Sequence, residues 1–172
     1  MRISGVDESL LVEAFRYNKW ANLHILDVCE RLSEEQMQLT TPGTYGTVGA
    51  TLMHLLAAEQ RYLRRLTGNE PQLNERDTFP GVPSLRALAE RSGDQLIEVS
   101  GRLVGGKMTE TEYGDRRQKI DLGVVLIQAM HHGNDHRTHI CTIFGTHGID
   151  YGDMDVWSYG EATGAMVPLG AS

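Results

Sequence analysis

MHHGNDHRTHICTIFG, residues 130–145, carries four of the chain's seven histidines in one stretch of helical periodicity. A helix turns about 100° per residue, so positions i, i+4 and i+7 share a face. His132, His136 and His139 fall on one such stripe. Val125, Ala129 and Ile140 occupy the same turns, so this face is expected to be partly buried. Asp121 is placed to cap the helix, which the pattern carries to about Thr146. Burying several neutral imidazoles without partners is costly, and a divalent metal would give each a strong one. Spacing alone does not choose the ligands. His132/His136 fits i, i+4, His136/His139 fits i, i+3, and Asp135/His139 also fits i, i+4.

Outward from this segment the periodicity stays helical. Residues 7–32 read as a helix, with Asp7 as cap and Glu8 in its first turn. Ala14, Asn18, Ala21, Ile25, Val28 and Leu32 form its buried stripe. Asn18 is polar within it, either a satisfied core amide or part of a pocket lining. Ser33-Glu-Glu-Gln36 is a capping-box pattern. Thr47 opens a second long helix ending near Gly68. Its stripe is Leu52, Leu55, Leu56, Glu59, Tyr62, Leu63 and Leu66, with His54 at the edge. Residues 69–83 carry Pro71, Pro80 and Pro83 without periodicity and read as a long loop. A third long helix is expected over roughly 84–104, capped by Ser84.

Gly105 to Lys119 admits either a short hairpin or an extended loop. Asp155 to Glu161 suggests a short helix, and the last ten residues suggest a frayed end. Four helices of about 20 residues imply an all-α antiparallel bundle, in which metal sites form from inward side chains on facing helices. The whole chain, 1–172, is expected to be one domain with an irregular tail from about 150.

Composition narrows the function. Forty per cent hydrophobic residues suffices for a core, and no run approaches the roughly 18 apolar residues of a membrane span. The start, MRISGVDESL, lacks a signal-peptide apolar region, so a soluble cytoplasmic protein is expected. A net charge of −7 argues against a nucleic-acid partner. Arg61, Arg64 and Arg65 form the densest basic cluster and read as a solvated face. Cys29 and Cys141 have no framework spacing and read as free thiols without an activating base. Gly133 stands where the zinc-peptidase motif HExxH needs its glutamate, so a peptidase is a poor reading. GRLVGGK, residues 101–107, imitates a phosphate loop. It is followed by Met108 and preceded by a helix, and is set aside.

Four passages together resemble the DinB/YfiT-like family of small helical metalloproteins. They are Tyr17-Asn-Lys-Trp-Ala-Asn22, Thr51-Leu-Met-His-Leu-Leu-Ala-Ala-Glu59, His132-Gly-Asn-Asp-His-Arg137, and Gly148-Ile-Asp150 followed by Asp155-Val-Trp-Ser-Tyr159. They span most of the chain in the family's order. The resemblance implies a four-helix bundle with one long crossover, here through residues 69–83. It implies a divalent ion, zinc or nickel, held by His54, His132 and His136, and often a homodimer. It also implies a metal-dependent transferase, isomerase or hydrolase, one that works on a small molecule with a low-molecular-weight thiol. The alternative is a non-catalytic metal-binding or stress-related helical dimer. The family often continues His-Arg with Gly-Gln, whereas this chain has Thr138-His139. His139 is therefore expected to line the pocket or stand behind the ligands. Glu59 is expected as a supporting group by way of another helix. Arg137 is expected either as an anion-binding group or as a solvated helix charge.

Overall fold

The computed structural model describes residues 10–102, 106–113, 115–167 and 169. Asp7 and Glu8, expected to cap the first helix, lie outside the described residues, as does part of the expected frayed end. The chain is mainly helical, with four long helices: α1 (Leu10–Cys29), α3 (Val48–Thr67), α4 (Val82–Arg102) and α5 (Leu122–Thr146). Two short helices, α2 (Glu34–Met37) and α6 (Val156–Thr163), and a hairpin of β1 (Met108–Tyr113) and β2 (Arg116–Asp121) complete the described elements.

The caps follow the local sequence. Ser33 and Gln36 form the reciprocal capping box of α2. Thr47, Asp121 and Asp155 accept backbone N–H groups at the starts of α3, α5 and α6. Gly68 closes α3 at φ 81, a left-handed position where a β-carbon is penalised. The start of α4 differs from expectation. The Gly81 carbonyl takes the first helical bond, from Leu85, so Ser84 lies inside the first turn rather than capping it. Pro83 is tolerated there because first-turn N–H groups lack helical partners.

Residue contacts fix the helix directions. Val12, Lys19 and Asp27 of α1 meet Gly101, Asp94 and Arg86 of α4, so these helices are antiparallel. His54 and Tyr62 of α3 meet His132 and Gln128 of α5, again antiparallel. Between them, the connection after Gly68 retraces α3. The Gln72 N–H donates to the Gln60 side chain at 3.2 Å, Glu75 reaches His54, and Phe79 lies beside Gly49. α4 therefore begins near the start of α3 and runs alongside it in the same direction.

Two apolar clusters fill the interior. One gathers Ile25, Leu52, Leu56, Leu85, Ile143 and Phe144, among others. The other is Phe15, Leu63, Leu96, Leu126 and Ala129. Every long helix contributes to both. Between the two sets of positions each helix places a polar residue inward: Asn18 and Asn22, Glu59, Ser92, and Arg137.

A purely α-helical chain is corrected by the hairpin. Met108↔Asp121 through Tyr113↔Arg116 pair antiparallel. Its described side chains are largely exposed and charged. Arg117 bridges to Glu110 at 3.2 Å and to Glu112 at 3.3 Å, and Thr111 receives a hydrogen bond from Arg65 of α3. Among the described residues no helix is long and apolar enough to cross a membrane.

Candidate metal centre

α5 presents two adjacent faces at one height. His132 and His136, one turn apart, point toward α3, while Gly133 and Arg137, also one turn apart, face α1. On the first face His132 Nε2 lies 3.0 Å from His54 Nε2. His136 completes the group: one ring nitrogen from each of His54, His132 and His136 lies within 4.8 Å of the others. Ring centroids are 4.9 Å apart for His54/His132, 4.5 Å for His54/His136 and 4.3 Å for His132/His136.

The donor set fits a divalent ion. Two nitrogens each about 2.1 Å from zinc at a tetrahedral angle are about 3.4 Å apart. His54 and His132 are already inside that spacing, and a His136 ring nitrogen lies within 4.8 Å of both. His136 is 7% exposed and its Nδ1 is buried without a hydrogen-bond partner. Burial, then the neighbouring imidazoles, pushes His132 and His136 down to about 4, so at neutral pH both offer lone pairs. His54 and His132 share one hydrogen bond through their Nε2 atoms, whereas the buried His136 Nδ1 has no partner among the described residues, and a bound cation is one that could supply it.

The surroundings brace the triad. Tyr45 stacks on His54 at 4.0 Å and meets His136 edge-on at 5.0 Å. Tyr62 meets His132 edge-on at 5.7 Å. His54 Nδ1 lies 2.9 Å from Glu75 Oε1, and the Tyr45 hydroxyl donates to that same oxygen. Tyr45 is pushed up to about 12 by burial and by its bond to Glu75, so it remains a phenol and a donor. Its hydrogen bond is the largest influence holding the Glu75 carboxyl below the ordinary range. A cavity of about 400 Å³ is lined by Tyr45 and Glu75 together with Met37, Met53 and Phe79. Sequence reading missed both residues, because each lies in a loop without periodicity.

His139 is half-buried, with its ring 5.3 Å from that of His136, and it falls outside the converging group. It stands beside the site.

Asn18, Glu59 and Arg137 belong to the other face of α5. Arg137 is 3% exposed, which corrects the expectation of a solvated charge. Its Nη1 donates to Asn18 Oδ1 at 2.9 Å and Asn22 Oδ1 at 2.6 Å. Its Nη2 donates to Asn134 Oδ1 at 2.6 Å, and its guanidinium sits over the Tyr17 ring. The two amides pass the charge on: Asn22 Nδ2 and Asn18 Nδ2 donate to Glu59 Oε2 at 3.1 and 3.4 Å. The Ser92 hydroxyl donates to Glu59 Oε1. Burial pushes the Glu59 carboxyl up, against the pull of Ser92, Arg137 and the amides. These hydrogen bonds close on one another rather than on the histidines. Asn18 is thus a satisfied core amide, and Glu59 and Arg137 are the ends of a buried charge pair relayed through amides. Asn22, Ser92 and Asn134 complete a network the sequence did not reveal.

Both cysteines are free thiols. Burial pushes Cys29 up to about 12 and Cys141 up to about 11, so neither is a nucleophile.

No curated protein is similar enough to count as a match to this chain. The family model described as DinB family matches residues 6–166, nearly the whole length and every element described above. The chain belongs to the DinB family.

Proposed function

We propose that this chain is a metal-dependent enzyme in which His54, His132 and His136 hold one divalent ion, zinc or nickel. The observation that carries the reading is the convergence of those three imidazoles from α3 and α5. The four long helices are read as a four-helix bundle, with the connection after Gly68 as its crossover, and residues 1–172 as one domain. An ion held by three neutral imidazoles keeps its full positive charge and open positions, so it lowers the pKa of a bound water or thiol and polarises carbonyls.

The chain's own residues do the rest. His132 and His136 stay unprotonated across the physiological range. Tyr45 and Tyr62 shield the imidazoles with their rings. The cavity beside Tyr45 offers apolar walls to a small molecule. With family membership, this supports a thiol-dependent transferase or isomerase, or a hydrolase; a cytoplasmic homodimer is what the family resemblance adds to the proposal. A structural metal is the second reading, favoured by the close covering of the triad by Tyr45 and Tyr62.

Turnover separates the two. Zinc- or nickel-loaded protein is mixed with a low-molecular-weight thiol and 1-chloro-2,4-dinitrobenzene, and thioether formation is followed beside the His136→Ala variant. Metal-dependent turnover absent from the variant supports the enzyme. Equal rates in both, or none with any of a panel of thiols and electrophiles, favour the structural metal.

A further inference from the structure

The connection between α3 and α4 is held to the metal centre by one side chain. Gln72 and Phe79 fix its two ends to α3. Between them Glu75 turns inward although its side chain is 39% exposed. Oε1 lies 2.9 Å from His54 Nδ1 and accepts the Tyr45 hydroxyl, while Oε2 lies 3.6 Å from Arg61. Tyr45 in turn stacks on the ring of His54. Three separate stretches of chain, the loop before α3, α3 itself and the connection after it, therefore converge on one imidazole.

A ligating histidine whose second ring nitrogen faces a carboxylate has its tautomer and ring plane set by that carboxylate. With Nδ1–H toward Glu75, the lone pair of His54 resides on Nε2. That is the nitrogen 3.0 Å from His132. The same contact joins the middle of the connection to a candidate ligand.

We propose that Glu75 is a positioning residue for the metal centre and the clasp of the crossover: it aims His54 Nε2 at the ion, so metal occupancy and the seating of residues 69–80 on α3 are one linked equilibrium. This rests on the three-histidine reading above. The linkage is thermodynamic. An ion that prefers the oriented imidazole stabilises whatever orients it, and the seated connection raises ion affinity by the same factor.

The test uses the full chain, with zinc as the probe. Zinc affinity is measured by competition with a chromophoric chelator for wild type, Glu75→Ala, Glu75→Gln and His132→Ala. Amide hydrogen exchange of residues 69–80 is measured with and without zinc. Glu75→Ala is expected to bind zinc about 10- to 100-fold more weakly. Glu75→Gln is expected to recover part of the loss, since its amide oxygen offers Nδ1–H an acceptor at the same position. Zinc is expected to slow exchange of the connection in wild type but not in zinc-saturated Glu75→Ala. Wild-type affinity in Glu75→Ala, or exchange indifferent to zinc in wild type, overturns the proposal even where His132→Ala has lost zinc. Undiminished zinc binding in His132→Ala overturns the three-histidine reading, and this proposal with it. The wild-type exchange comparison needs no variant to fold.

Discussion

Replacing Gly133 with alanine should destabilise the protein, although the same change in most helices would stabilise it. Alanine is worth about 1 kcal/mol over glycine in a helix interior. At Gly133, however, a β-carbon would stand 2.6 Å from Asn18 Oδ1 and 3.0 Å from Arg137 Nη1. Those two atoms are hydrogen-bonded to each other at 2.9 Å inside the core. Forcing them apart costs about 1–3 kcal/mol of overpacking strain. Weakening a buried bond from a charged donor adds about 1.5–3 kcal/mol. Set against the helical gain, the net loss is about 1.5–5 kcal/mol, or about 3–20 °C in Tm for a chain of this size. Gly145 is the control within α5: a β-carbon there meets nothing within 4 Å, so Gly145→Ala should hold or slightly raise Tm. Thermal and urea unfolding of both variants checks the pair. A Gly133→Ala protein as stable as wild type would mean that the amide relay is not packed as described.

Metal-free protein should lose stability in acid in a defined window. His132 and His136 sit at about 4 when folded against an ordinary 6.5, so between those values the unfolded chain binds more protons. The stabilisation is complete above about pH 6.5 and is lost as pH falls toward 4. Tm across that range should drop more steeply in wild type than in a His132→Ala, His136→Ala double variant, and equal slopes would refute it. Arg137→Met leaves Glu59 as a buried carboxylate without its counter-charge and should cost about 3–5 kcal/mol in urea unfolding. Adding Glu59→Gln should return part of that, and a double variant worse than the sum of its singles would contradict the relay. His139→Ala should keep the wild-type metal stoichiometry by elemental analysis, since His139 stands outside the converging group. Loss of metal there would make it a ligand.

Periodicity was enough for the long helices, because each buries a stripe at helical spacing, and caps such as Thr47 and Asp121 act through neighbouring residues. It misplaced the start of α4, where Ser84 resembles a cap but Gly81, at φ 86, makes the turn. The hairpin stayed ambiguous because exposed, charged strands carry no burial pattern. At the site, spacing could propose the histidine stripe but could not exclude His139. That choice depends on which face of α5 meets α3, a long-range fact. The burial of Arg137 is hidden from the sequence for a similar reason. A charged residue in a polar run looks solvated until α1 brings Asn18 and Asn22 to it. Glu75 had no local signal at all: its role exists only because the connection doubles back along α3.

Everything proposed for the site depends on His54, His132 and His136 binding one metal ion. Elemental analysis after loading with zinc or nickel and exhaustive dialysis tests it most directly, on wild type beside His54→Ala. One divalent ion per wild-type chain and almost none in the variant is the expected result. Wild type without metal, or His54→Ala retaining one ion per chain, would contradict it.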